Sequence, residues 1–169
     1  THSNKVIVLD EDLKEIKEAD ALVTNKPHIT IAVTTADCVP VIFKDEVNKV
    51  IAVAHSGWKG ARLGIIENTL KEMEKKGANN KNITVFIGPC IRQDSYEVTS
   101  EFIDHFKQET QDNLKFFIKS DKLHYKFDLP GYVKNKLTSN SIYNIEDCLI
   151  NTFTSKGKFP SYRREVKAR

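Results

Sequence analysis

Two apolar runs joined by a short polar connection constrain this chain more than any other feature. Val39-Pro40-Val41-Ile42-Phe43 is followed by Asp45-Glu46-Val47-Asn48 and then by Val50-Ile51-Ala52-Val53-Ala54. The connection is short enough to make the runs neighbours, an antiparallel strand pair. Cys38 stands just before the first run and His55 just after the second. In an antiparallel pair those two positions share one edge, so a thiol and an imidazole meet there. Ser56-Gly57 breaks the second strand, and a helix is expected to start soon after. The free N–H groups of a helix N-terminus attract anions, and Lys59 adds positive charge nearby.

The remaining strands and helices follow from pattern. Lys5–Leu9, Ala21–Thr24 and Ile29–Val33 are β-branched or apolar runs and read as strands. The charged stretch from Asp10 to Glu18, with Leu13 and Ile16 three apart, allows a helical turn. Leu63, Ile66, Leu70 and Met73 recur at spacings of three and four, which predicts one helix over 60–76, ended by Gly77. Ile83–Ile87 reads as a strand buried on both faces. Thr99 or Ser100 caps a helix to about Gln108, with Phe102, Ile103 and Phe106 inward. Leu114–Ile118, Tyr125–Asp128 and Ser141–Ile145 are further strand candidates. Asp128-Leu129-Pro130 starts a helix carrying Val133 and Leu137, and residues 148–169 read as irregular. The strands largely pair with their sequence neighbours, which favours an α+β fold, a mixed sheet sandwich flanked by helices, over a doubly wound parallel sheet.

A chain of 169 residues suits a single domain spanning 1–169. The net charge is +3, and the densest basic cluster is Arg163, Arg164, Lys167 and Arg169, too narrow for a nucleic-acid face. No apolar run reaches the length of a membrane span. Neither a nucleic-acid nor a membrane partner is expected. The three cysteines, Cys38, Cys90 and Cys148, are far apart and form no Cys-x-x-Cys pair. Free thiols fit a reducing cytoplasm. The start shows neither a signal-peptide apolar core nor an initiator Met, so the chain is expected to begin inside a longer gene product. No nucleotide-binding glycine loop can be written.

Cys38 and His55 suit two chemistries. One is a cysteine nucleophile with His55 as base. The other is a metal site, since thiolate and imidazole are preferred zinc ligands and a catalytic zinc keeps three protein ligands and one open position. The third ligand is open among His2, His28, His105 and His124. Cys90 divides evenly between a site role and packing, and Cys148 reads as structural. Tyr96-Glu97 is a pocket candidate. Arg163 and Arg164 can fork an anionic substrate such as phosphate, or lie in a solvated tail.

Seven motifs occur in order along nearly the whole chain. They are His2-Ser3-Asn4-Lys5-Val6, Ala19–Thr24, Thr35-Ala36-Asp37-Cys38-Val39-Pro40, and Ala54-His55-Ser56-Gly57-Trp58-Lys59-Gly60. The others are Gly88-Pro89-Cys90-Ile91 with Tyr96-Glu97-Val98, Phe127-Asp128-Leu129, and Ser161-Tyr162-Arg163-Arg164. This set resembles the laccase-domain family of purine nucleoside phosphorylases, also named multicopper polyphenol oxidoreductases and, in some bacteria, peptidoglycan editing factors. The resemblance implies zinc on His2, Cys38 and His55 as metal and catalytic residues, with copper as the alternative metal. It implies a cysteine-hydrolase-like fold. It implies phosphorolysis of adenosine and inosine with inorganic phosphate, beside adenosine deamination and methylthioadenosine phosphorolysis. Lys59, Arg163 and Arg164 are then the substrate-binding candidates, and a homodimer is allowed. The alternatives are an amide-cleaving cysteine hydrolase, a polyphenol oxidoreductase and a metal-binding interaction module; five histidines are few for a multicopper centre. The family's N-terminal segment is not covered here. Lys59 stands where Arg is usual, and Phe159-Pro160 where two Phe are usual.

Overall fold

The structure, a computed structural model, describes residues 1–10 and 18–167, without the side chain of Lys167. The helical turn expected around Leu13 and Ile16 lies outside the described residues, as do the Lys167 side chain and Arg169.

The predicted hairpin is the centre of a six-stranded sheet. β3 (Val39–Asp45) and β4 (Val50–Ser56) are antiparallel and in register from Val39–Ser56 to Asp45–Val50. Asp45 is fully buried and accepts hydrogen bonds from Asn48 N (2.9 Å), Asn48 Nδ2 (2.8 Å) and Asn79 N (2.8 Å). That carboxylate closes the turn, as Asx motifs do. β1 (Val6–Val8), β2 (Ala21–Thr24), β5 (Ile83–Ile87) and β9 (Asn144–Asp147) complete the order β1-β2-β4-β3-β5-β9. The outer pairs β1/β2 and β5/β9 are parallel and the inner pairs antiparallel, so the sheet is mixed. A second sheet of three strands has the order β6-β8-β7, with β6 at Glu97–Thr99, β7 at Phe117–Lys119 and β8 at His124–Phe127.

Helices cover one face of the large sheet. α2 (Ile65–Lys75) packs on β1, β2 and β4, and α4 (Leu129–Ser139) on β3 and on α2. Val41, Phe43, Ala52, Ala54, Val85 and Ile87 meet Ile66, Leu70, Met73, Val133 and Leu137 in one core. A buried Leu, Ile or Phe side chain contributes roughly 1.5–3 kcal/mol, so this layer dominates stability. α3 (Ser100–Lys107) places Phe102 and Phe106 against Phe117, Phe127 and Tyr132, joining the small sheet to α4. Asp128 caps α4 through Gly131 N at 3.0 Å, as its place before Pro130 suggested. Among the described residues no helix is long and apolar enough to cross a membrane.

The α+β class holds, and six local expectations change. Residues 60–76 form two helices, α1 (Trp58–Arg62) and α2, because Gly64 takes a left-handed φ of +91° between them. Leu63 falls at that break and is 51% exposed. Ile29–Val33 forms no strand. β2 and β3 both run antiparallel to β4, so the chain must return the length of the sheet between them, and β4 already occupies the intervening place. β5 is buried on one face only, with Phe86 exposed on the face that carries no helix. Residues 111–116 make a 3-10 turn before β7, and β9 starts at Asn144 because Ser141 adopts a φ of +63°. The C-terminal stretch is not wholly irregular, since Tyr162–Lys167 is a fifth helix, α5.

Candidate metal centre

The hairpin register sets the site. Pro40 pairs with His55, so Cys38, just before β3, reaches the same sheet end as His55 near the end of β4. His2 precedes β1 and comes to that end by way of β2. The candidate ligand atoms of His2, Cys38 and His55 all lie within 4.8 Å of one another. Cys38 Sγ is 3.8 Å from His2 Nε2, and the two imidazoles meet edge-on at 5.0 Å between centroids. A tetrahedral zinc with one sulfur and two nitrogens spaces its donors by about 3.3–3.7 Å, so only a small closure would be needed. His28 sits in a turn, His124 pairs with Asp121 at 3.0 Å, and His105 on α3 stacks on Trp58 at 5.5 Å. None of these three joins the cluster.

A single buried acid orients both histidines. Asp20 Oδ1 is 2.8 Å from His55 Nδ1 and accepts the backbone N–H of His2 at 3.0 Å. Asp20 Oδ2 accepts Ser3 N at 2.6 Å and Ser3 Oγ at 2.5 Å, and also Thr1 Oγ1. Burial raises this carboxyl's pKa, but the hydrogen bonds from Ser3, Thr1 and His55 outweigh it and hold Asp20 well below the usual carboxylate range. An ionised Asp20 keeps the proton on His55 Nδ1 and leaves Nε2 as the ligand atom, the support that metal-binding histidines usually receive. Asp20 falls within the Ala19–Thr24 motif, where the sequence alone assigns it no role. Its sequence signal is an acid at the mouth of an apolar strand.

Glycine admits the His2 segment. A Cβ on Gly57 would lie 2.9 Å from both Cys38 Sγ and His2 Cδ2, and one on Gly60 would lie 2.7 Å from Ser3 O. Asn4 Nδ2 donates to Leu63 O at 2.7 Å and Asn68 Nδ2 to Asn4 O at 2.9 Å, which pins the segment to the break between α1 and α2. α1 has only five residues. It is too short to carry the anion site expected of a long helix, whose field depends on aligned turns.

The cluster opens on a cavity of about 1040 Å³. Asp20, Asp37, Trp58, Tyr96, Tyr162 and Arg163 line it with the three candidate ligands, and the unpaired stretch around Ala32-Val33-Thr34 closes one side. Burial, then the charges of Asp37 and Asp20, push the Cys38 thiol up to about 11. Arg163 stacks over Tyr96 at 5.2 Å, and its Nη1 donates to Glu97 O at 2.8 Å. Arg164 does not line the cavity: its guanidinium donates to the carbonyls of Thr152, Phe153 and Phe159, which ties the C-terminal loop together. Lys59 lines a shallower neighbouring concavity of about 470 Å³ with Thr1, His2, Ser3 and Trp58. Cys90 is fully buried, with its thiol pushed up to about 12 by burial, and stands apart from the cluster.

A family model described as multi-copper polyphenol oxidoreductase laccase matches residues 1–169. The chain belongs to that family. Within this laccase-domain family it is 42% identical over 164 residues to a purine nucleoside phosphorylase of Rickettsia prowazekii (strain Madrid E), covering 96% of this chain and 68% of that protein. It is 40% identical over 117 residues to an adenosine deaminase of an unknown prokaryotic organism, covering 64% of this chain and 45% of that protein. The crystal structure of the hypothetical protein YfiH of Bacillus licheniformis superposes with a TM-score of 0.90 at 30% identity, covering 98% of this chain and 67% of that one. The chain thus spans about two thirds of the length of the first and third of these. Among the described residues, the family's laccase-type description meets one cluster of three candidate ligands.

Proposed function

We propose that this chain is a zinc-dependent enzyme of purine nucleosides. It would cleave adenosine or inosine with inorganic phosphate to free base and ribose 1-phosphate. Adenosine deamination and methylthioadenosine phosphorolysis would be companion reactions of the same site. The observation that carries the reading is the His2, Cys38 and His55 cluster on the wall of a large cavity, in a chain similar to a purine nucleoside phosphorylase.

One thiol and two imidazoles suit zinc with one position open, and copper is the alternative metal. A multicopper centre needs more donors than three, which speaks against polyphenol oxidation. Zinc held there would supply Lewis acidity toward a substrate oxygen. The chain's own residues do the rest. Asp20 holds the proton on His55 Nδ1. Trp58 offers aromatic surface to the base, and Arg163, held over the Tyr96 ring, and Lys59 offer positive charge to phosphate. The cavity is at the upper end of the roughly 300–1,000 Å³ usual for small-molecule sites. A thiol raised to about 11 is a poor free nucleophile at neutral pH and a good metal ligand once deprotonated by the ion. That favours the metal reading over the cysteine-hydrolase reading of the same sheet. Three free cysteines favour a cytoplasmic location.

The test is metal content by mass spectrometry on protein purified without added metal, with a product assay on adenosine or inosine plus phosphate. One zinc per chain and phosphate-dependent base release, lost in His2→Ala and His55→Ala, is the expected result. A filled zinc site that releases no base from any purine nucleoside would overturn the reading.

A further inference from the structure

Asp37 is the second buried acid of the cavity wall, only 7% exposed, and none of its hydrogen bonds goes to a candidate metal ligand. Its backbone is left-handed, with φ of +82°, a conformation that costs a non-glycine residue free energy. Its carboxylate is filled from the far end of the chain. Oδ1 accepts Thr152 Oγ1 at 2.6 Å, and Oδ2 accepts Ser161 Oγ at 3.0 Å and Arg163 N at 2.7 Å. Asp37 O accepts Ile91 N at 2.9 Å. The acid therefore shares the capping of α5 with Ser161, whose own Oγ accepts Arg164 N at 3.2 Å while Asp37 takes Arg163 N from another part of the molecule. Arg163 then has two anchors. Its backbone N–H rests on Asp37, and its guanidinium rests on Glu97 O and the Tyr96 ring.

We infer that Asp37 is a positioning residue that ties Arg163 to the loop carrying Cys38, so that phosphate binding depends on a carboxylate that itself touches neither phosphate nor metal. This rests on the reading of Arg163 as a phosphate-holding group. The chain spacing explains why such a tie is needed. Cys38 and Arg163 are brought together from opposite ends of the sequence, and α5 has only six residues to hold its own position. A forked guanidinium serves an anion only when its plane is fixed relative to the other groups that hold it. Asp37 supplies that reference, because the residue after it in the chain is the thiolate candidate.

The experiment is calorimetric titration of inorganic phosphate into the zinc-loaded chain, with zinc content measured for every variant. Asp37→Asn removes the charge and leaves one acceptor oxygen where Thr152, Ser161 and Arg163 need two, and is expected to weaken phosphate binding about tenfold or more while one zinc per chain remains. Ser161→Ala is expected to weaken it about threefold. The double variant with Arg163→Ala separates positioning from general damage. If Asp37 acts through Arg163, Asp37→Asn adds no further loss in the Arg163→Ala background. Native phosphate affinity in zinc-loaded Asp37→Asn, or an undiminished extra loss in the double variant, overturns the inference. Should Asp37→Asn lose its zinc or fail to fold, Ser161→Ala decides, and unchanged binding there also overturns it. If Arg163→Ala alone leaves phosphate binding intact, the phosphate role of Arg163 falls and this inference with it, while the zinc reading stands.

Discussion

Asp20 Oδ1 lies 2.8 Å from His55 Nδ1, and the same oxygen accepts the backbone N–H of His2. One carboxylate thus aims one candidate ligand through its ring and another through its main chain. Asp20→Asn keeps the shape and removes the charge. The amide can turn only one oxygen to its several donors, and His55 loses its fixed tautomer. Zinc affinity should fall about 10–100-fold. Competition with a chromophoric chelator measures this, and an unchanged affinity would show that the two histidines are oriented without Asp20.

Gly57 serves the same cluster by absence. Its φ of −73° is open to any residue, so alanine brings no backbone strain. The added methyl would sit 2.9 Å from Cys38 Sγ and from His2 Cδ2. Gly57→Ala should therefore leave the far-ultraviolet circular dichroism native and weaken zinc binding by at least an order of magnitude, on the scale of a displaced ligand. Tight zinc binding by this variant would mean that the His2 segment can move aside without cost.

What the sequence made legible was governed by short range. The β3–β4 hairpin, the cap at Asp128 and the shared edge of Cys38 and His55 depend on residues within a few turns or strands of one another. The break at Gly64 was hidden because Leu63, Ile66, Leu70 and Met73 keep helical spacing through it, and a glycine in a helical pattern can either stay helical or turn left-handed. Ile29–Val33 has strand composition, yet it lies in the connection between β2 and β3, whose intervening place in the sheet β4 already holds. The third ligand could not be chosen by spacing, because His2 reaches the site through β1, β2 and Asp20. Asp37 is legible only with the fold in hand, since the partners of its carboxylate lie 115–126 residues away. Arg163 and Arg164 are adjacent in sequence and part in space, one lining the cavity and one binding loop carbonyls.

The helix break is open to a direct stability test. Leu63 is 51% exposed and Leu70 is 4% exposed. Leu70→Ala should cost about 2–5 kcal/mol through lost burial and a cavity. Leu63→Ala should stay within about 0.5 kcal/mol, as surface substitutions usually do. Urea unfolding of the two variants reads the difference. Equal costs would mean that one continuous helix presents both residues to the core.

The last expectation concerns acid stability and the β9 edge of the sheet. Asp147, on β9, accepts two hydrogen bonds from Arg92, at 2.9 and 2.6 Å, and an ion pair from Lys134 on α4 at 2.7 Å. Its side chain is 6% exposed. Burial raises its pKa, but the bonds from Arg92 and Lys134 and the backbone N–H of Leu149 outweigh that and hold it well below the usual carboxylate range. A carboxylate with a depressed pKa in the folded state adds stability above its unfolded value of about 3.9 and loses it as the pH falls toward the folded value. The native chain should therefore lose stability steadily from about pH 5 downward. Asp147→Asn leaves Arg92 and Lys134 without their partner, so it should be less stable at pH 7 by about 3–5 kcal/mol, the cost of breaking a buried pair. It should also decline less steeply in acid, because one of the groups that takes up a proton on unfolding is gone. Urea unfolding of both proteins from pH 7 to pH 3 tests the sign. An equally steep acid decline in Asp147→Asn would place the acid-labile stability on other carboxylates.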